Sequence, residues 1–242
     1  MYSNPPPAPF PLPDAPSLPL GYTAHRNTPM IGTTRHKELL ALGCLLLAVV
    51  MAACGDTSTS VPTSTPTKTP VDIARNAHKK GLDLLLQGEY RKAIELFDTA
   101  ITADPQATSY NKRGLAYNNL RQFGKAIEDF DEAIQLDPQN AEAYSNRGIA
   151  YGFLGQYERA VEDYGEAINL DPTRAVVYGN SGLVYVNLGL YERAIQDLNE
   201  AIRLNPQYAV AYYVRGVGYQ EIGKIKEAER DFAKAKELGF EP

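Results

Sequence analysis

Cysteine is nearly absent. The chain has 242 residues and two cysteines, Cys44 and Cys54, with none beyond residue 54. A disulfide framework for the C-terminal region is thereby excluded. Histidine is scarce too: of the three in the chain, only His78 lies in the part able to fold. With neither a cysteine nor a second histidine to join it, that region offers no transition-metal site and no Ser/His/acid set. We therefore expect no metal, no cofactor and no catalytic residues. A basic surplus is missing as well. Residues 71–242 hold 20 Lys and Arg against 26 Asp and Glu, which argues against a nucleic-acid partner.

What is present divides into an address and a repeat. Residues 1–29 carry proline every two or three positions, which blocks helix and sheet ladders, so a disordered leader is expected. Arg35, His36 and Lys37 then precede an apolar run from Leu39 to Ala53. Its length is roughly 22 Å as a helix. A membrane span needs about 20 residues. The run instead suits the core of a signal peptide over 30–53. Residues 55–70, GDTSTSVPTSTPTKTP, have no apolar period and read as part of a linker over 54–73.

From residue 74 onward the chain repeats itself. Glycine recurs at 81, 114, 148, 182 and 216, in steps of 33, 34, 34 and 34. Alanine follows the same steps from Ala93 and again from Ala100, and proline recurs at 105, 138, 172 and 206. Within residues 141–171, two helix-length segments flank Gly155. Tyr144, Gly148 and Tyr151 share one face of the first, and Tyr157, Ala160, Tyr164 and Ala167 one face of the second. The small residues are expected where two backbones approach closely, with the tyrosines as core. Asp171-Pro172 ends the second helix, because a residue before proline is pushed out of the α region. One such hairpin cannot bury its apolar face alone, so the copies must stack.

These series resemble the tetratricopeptide repeat, a helix–turn–helix of about 34 residues. The resemblance implies an all-α fold, an α-solenoid of five repeats over 74–106, 107–140, 141–174, 175–208 and 209–242. The departures are few. Tyrosine stands where tryptophan is usual, and Arg113, Arg147, Ser181 and Arg215 stand where leucine is usual. The last copy ends Gly239-Phe240 in place of Asp-Pro. Separately, Met51-Ala52-Ala53-Cys54 resembles the lipobox of bacterial lipoproteins, with Met51 where leucine is usual. That resemblance implies cleavage before Cys54, a lipid on its thiol, and display on the outer side of a bacterial membrane. A short uncleaved anchor is the competing reading. Two or more acyl chains hold a protein on a bilayer stably.

Other motifs carry less. The acidic clusters, Glu128-Asp129 with Asp131-Glu132 among them, are expected on a solvated face. Residues 218–225, GYQEIGKI, imitate a phosphate loop, but Ile225 stands where the magnesium-binding hydroxyl belongs. The family resemblance places a peptide-binding groove on the first helices, at Asn111, Lys112, Asn118, Asn119, Asn146, Phe153, Asn180, Asn187 and Tyr213. An asparagine amide offers both a donor and an acceptor to an extended backbone. Leu82, Leu115, Ile149, Leu183 and Val217 occupy the place of the asparagine with which some members clamp a terminal carboxylate, so no such clamp is expected. The expected activity is a membrane-tethered adaptor for peptide or helix segments of envelope proteins. The alternative is a scaffold that self-associates through the open ends of the solenoid.

Starting at Met30 gives a compact signal peptide: a short basic stretch, an apolar core and a cysteine. The Cys54→Ala precursor should therefore show, by intact mass spectrometry, a chain beginning at Met30. A mass that fits Met1 contradicts this start.

Overall fold

The computed structural model describes residues 69–241. The leader, the signal segment, Cys54 and the linker up to residue 68 lie outside the described residues. Ten α-helices follow in order: α1 Pro70–Leu86, α2 Tyr90–Ala103, α3 Ala107–Asn119, α4 Phe123–Leu136, α5 Ala141–Phe153, α6 Tyr157–Leu170, α7 Ala175–Asn187, α8 Tyr191–Leu204, α9 Ala209–Glu221 and α10 Ile225–Glu237. Among the described residues there is no strand. Nor is any described helix long and apolar enough to cross a membrane.

The first helix begins four residues before the expected repeat boundary, inside the stretch expected as linker. Thr69 caps it: the Asp72 amide donates to Thr69 Oγ1 at 3.2 Å, and the Thr69 amide donates to Asp72 Oδ2 at 3.3 Å. Pro70 sits at the first helical position, where its missing N–H costs nothing. Thr69-Pro70-Val71-Asp72 is thus a helix start written in the sequence.

The turns between the paired helices reuse one device. The amide two residues past each first helix's C-cap reaches back five residues, as in Gln156 N to Tyr151 O and Leu190 N to Tyr185 O, both at 2.9 Å. This closure needs a left-handed residue. Gly88, Gly155, Gly189 and Gly223 supply it with φ between 71° and 77°, and Arg121 supplies it at 59°. Gly239-Phe240 is the same closure at the end of α10, with Phe240 N bonded to Ala235 O at 3.0 Å. The departure from Asp-Pro in the last copy is therefore a helix cap. Between repeats, Asp137, Asp171 and Asn205 each accept, through Oδ1, the amide two residues on, at 3.0–3.1 Å. This Asx turn around the proline stops the second helix.

Within each hairpin the recurrent glycine meets a large side chain of the following helix. A methyl added at Gly81, Gly114, Gly148 or Gly216 would lie 2.6–2.9 Å from the ring of Phe97, Phe130, Tyr164 or Phe232. At Gly182 it would lie 2.5 Å from Cγ of Leu198. The expected close approach of two backbones is instead an approach of a backbone to a side chain sixteen residues on. The alanines at 93, 100, 126, 133, 160, 167, 194 and 201 are fully buried beside it. Tyr151 and Tyr164 are buried, as expected of core residues.

The hairpins stack through each second helix onto the next first helix. One apolar cluster joins Tyr151, Tyr164, Val177 and Val184, and the next joins Leu183, Leu198, Ala211 and Val214, so the core passes from repeat to repeat. Successive first helices also touch one another, whereas successive second helices do not. The first-helix side is therefore the inner, concave side.

Gly182→Ala should lower the unfolding free energy by about 1–2 kcal/mol, overpacking winning over the gain in helix propensity. Gly165, on α6, has open space where its Cβ would be. There Gly165→Ala should stabilise by up to about 1 kcal/mol in the same denaturant titration.

Candidate functional site

The inner surface is built from the first helices, and the structure divides the expected groove residues into two sets. Asn111, Asn118 and Asn146 are buried, at 2%, 6% and 7% exposure. Asn146 Nδ2 donates to Asn111 Oδ1 at 3.0 Å, and Asn118 Nδ2 donates to the Asn146 carbonyl at 3.2 Å. Their amides tie α3 to α5 and form the floor of the trough. Tyr213 likewise turns inward: its ring lies 5.5 Å from that of Phe232 and 4.9 Å from that of Phe240, closing the last repeat. The sequence expectation placed these four residues against a ligand. The structure spends the Asn111 oxygen, the Asn118 and Asn146 amide nitrogens and the ring of Tyr213 on internal contacts, and leaves Asn118 Oδ1 buried without a partner among the described residues.

The second set is partly exposed. Lys112 donates to Glu142 Oε1 at 2.7 Å, across the junction of repeats two and three. Asn119 donates to the Leu115 carbonyl at 2.8 Å, within its own helix. Phe153 stacks on Phe123 with ring centres 5.0 Å apart, and the Arg121 guanidinium lies about 6 Å from both rings. That cluster accompanies the left-handed arginine, whose backbone strain it offsets. Asn180 is half-buried on the C-terminal half of the inner row. So is Asn187, whose Oδ1 and Nδ2 have no partner among the described residues. His78 Nδ1 meets Ser109 Oγ at 2.9 Å. Burial, with the Lys112 ammonium, pushes its pKa down and keeps the ring neutral.

On the opposite side runs a feature the sequence reading missed. Arg113 holds Asp129 with two bonds of 2.6 and 2.9 Å and reaches Asp98 of the preceding repeat at 2.6 Å. Arg147 holds Asp163 at 2.7 and 2.9 Å and reaches Asp131 at 2.6 Å. Arg215 holds Asp231 at 2.7 and 2.8 Å and reaches Asn199 at 2.7 Å. Each guanidinium thus joins its own second helix to the one before. The clusters expected on a solvated face are split: Glu128 and Glu132 are exposed, but Asp129 and Asp163 are buried and paired. Burial pushes both of these carboxyls up, against the downward pull of the arginine. Hydrogen bonds to the carboxylates push the arginines up and keep them charged. The signal was legible as arginine and aspartate sixteen residues apart, one pair in each of repeats two, three and five.

Comparison with known proteins agrees with this geometry. A tetratricopeptide repeat model matches residues 141–174, and a TPR repeat model matches residues 121–152 and 182–223. A crystal structure of MamA is 30% identical with a TM-score of 0.60, the match covering 65% of this chain and 93% of that one. The chain belongs to the tetratricopeptide-repeat family. Another solved structure, of MamA protein, is 28% identical with a TM-score of 0.62, covering 69% of this chain and 92% of that one. MamA from residue 41 to its end, from Desulfovibrio magneticus RS-1, is 22% identical with a TM-score of 0.63, covers 69% of this chain and 95% of its own, and shares the fold. No curated protein matches.

A tetratricopeptide stack is a protein-binding architecture, and its inner row here has a fixed floor and a partly exposed wall. Asn146→Ala strands Asn111 Oδ1 in a buried place and should cost about 1–3 kcal/mol of stability. Asn180→Ala should stay within about 0.5 kcal/mol of the parent. Urea unfolding followed by circular dichroism measures both.

Proposed function

We propose that this tetratricopeptide protein is a lipid-tethered adaptor that holds an extended or helical segment of an envelope protein in its inner trough. The observation that carries the reading is the wall around Asn180 and Asn187. Both side chains are half-buried, and the Asn187 amide has neither a donor nor an acceptor partner among the described residues. Both of these Asn187 atoms are buried, an unpaired buried amide is costly, and turning that side chain into the trough would let an extended backbone supply both missing partners. Val176 and Val210 lie on the same row and add an apolar contribution. The ion-paired carboxylates of the outer side are structural, and no reactive set accompanies them among the described residues, so we assign them no chemistry. Cys54 is the proposed lipid attachment point, and the outer side of the cell membrane the proposed location.

The self-association reading draws on α1, where Val71 and Ile73 are 47% and 41% exposed at the start of the stack. Those side chains would seat against another copy. Light scattering separates the two readings, since only self-association raises the mass with concentration.

A photo-reactive residue at Asn180 should crosslink in intact cells to one envelope protein, and the same residue at Glu162 on the outer side should not. Equal crosslinking from both positions, or none from Asn180, contradicts the trough. An alkyne fatty acid should label the wild-type chain and not Cys54→Ala. Equal labelling contradicts the lipid site.

A further inference from the structure

The outer ladder has one irregular rung. Where repeats two, three and five have arginine, repeat four has Ser181. Its hydroxyl donates to Asp197 Oδ2 at 2.6 Å, and Asp197 has no cationic partner among the described residues. The carboxylates in the same place, Asp129, Asp163 and Asp231, are buried at 4–6% exposure, whereas Asp197 is partly open to solvent. The neighbouring second helix has given way too. Where Asp98, Asp131 and Asn199 receive the guanidinium of the next repeat, α6 has Gly165, with open space beyond its Cα. Two independent positions have thus become small around one partly exposed carboxylate.

The rest of the arginine's surroundings is kept. Arg113 lies 5.5 Å from the ring of Tyr110, Arg147 lies 5.6 and 5.9 Å from Tyr144 and Tyr151, and Arg215 lies 5.4 and 5.7 Å from Tyr212 and Tyr219. Tyr178 and Tyr185 hold these registers in repeat four. Burial, and then the charges of Glu200 and Asp197, push the Tyr178 hydroxyl pKa up, against the pull of Arg203. Arg193 lies 6.0 Å from Tyr185, but this does not block the slot: Tyr151 carries both Arg159, at 4.0 Å, and Arg147. Burial also pushes the Asp197 carboxyl up, with a single hydroxyl opposing it, so its charge calls for a cation.

We propose that Asp197, Tyr178 and Tyr185, above the buried Ser181 and beside the open Gly165, form a receptor for an arginine side chain of a partner protein. The three internal arginines define the occupant. A planar guanidinium can bond the carboxylate edge-on and stack on the two rings, which the compact ammonium of lysine does less well. The receptor lies on the second-helix side, away from the trough, so it gives the adaptor a second, independent contact.

The test is a titration of the isotope-labelled full chain with N-acetylarginine methylamide, followed by amide chemical shifts. The citrulline analogue, equal in shape but neutral, is the control. Saturable shifts confined to residues of α6, α7 and α8, with affinity in the millimolar range and absent with citrulline, are expected. Asp197→Asn should weaken this binding by about tenfold or more. It should also raise the melting temperature at neutral pH. The sign follows from the raised folded-state pKa: stability is lost as pH rises through that value, and the amide removes the loss. Loss of binding in a more stable protein cannot then be a failure to fold. Ser181→Arg should abolish binding by filling the slot from within. No shifts, equal shifts with citrulline, or shifts unchanged in Asp197→Asn overturn the proposal. A variant carrying Val176→Arg and Asn180→Arg, which blocks the trough, should bind the arginine probe as the parent does, so the two sites fail or stand separately.

Discussion

The architecture depends on a backbone without a side chain pressed against a large side chain sixteen residues later. Glycine on each first helix accepts the ring of Phe97, Phe130, Tyr164 or Phe232, or the branched end of Leu198. The alanines on the facing helix let the two elements close around that contact. Each hairpin therefore has the same internal spacing, and hairpins of equal spacing stack regularly. The curvature follows from that regularity. First helices meet their neighbours along the stack and second helices stand apart, so a trough forms on one side and a spaced outer row on the other.

The outer row is held by charge. An arginine that grips a buried aspartate with two bonds and reaches the previous repeat with a third nitrogen leaves few of its donors idle. Bidentate geometry of this kind is what offsets the cost of removing both ions from water. The inner floor uses neutral amides for the same end, Asn146 to Asn111 and Asn118 to the Asn146 backbone. Ordering of the two faces by different polar devices leaves specific places where the devices stop: Asn187 on the inner side and Asp197 on the outer.

The repeat was legible because its small residues are periodic and glycine has a single steric meaning here. The second-helix ends were legible in Asp-Pro and Asn-Pro for the same kind of reason. The start of α1 was missed although Thr69, Pro70 and Asp72 spell a capping box, because the Thr/Ser/Pro tract before it has the composition of a linker. The groove was legible only as a row. The family resemblance placed Asn111 and Asn146 in the inner row, but it could not say that the two side chains bond each other across 35 residues. The aspartates were misread for a related reason: helical spacing within α4 puts Asp129 beside Glu128 and Glu132, while its partner Arg113 lies on another helix, sixteen residues back.

A stack joined only by neighbouring contacts should not open all at once. Native-state hydrogen exchange over residues 69–241 tests that most directly. The account predicts graded protection, greatest in α5, α6 and α7 and falling towards α1 and α10. One opening energy shared by the protected amides of all ten helices would contradict it, since a single closed core, without a trough, would then hold the chain together.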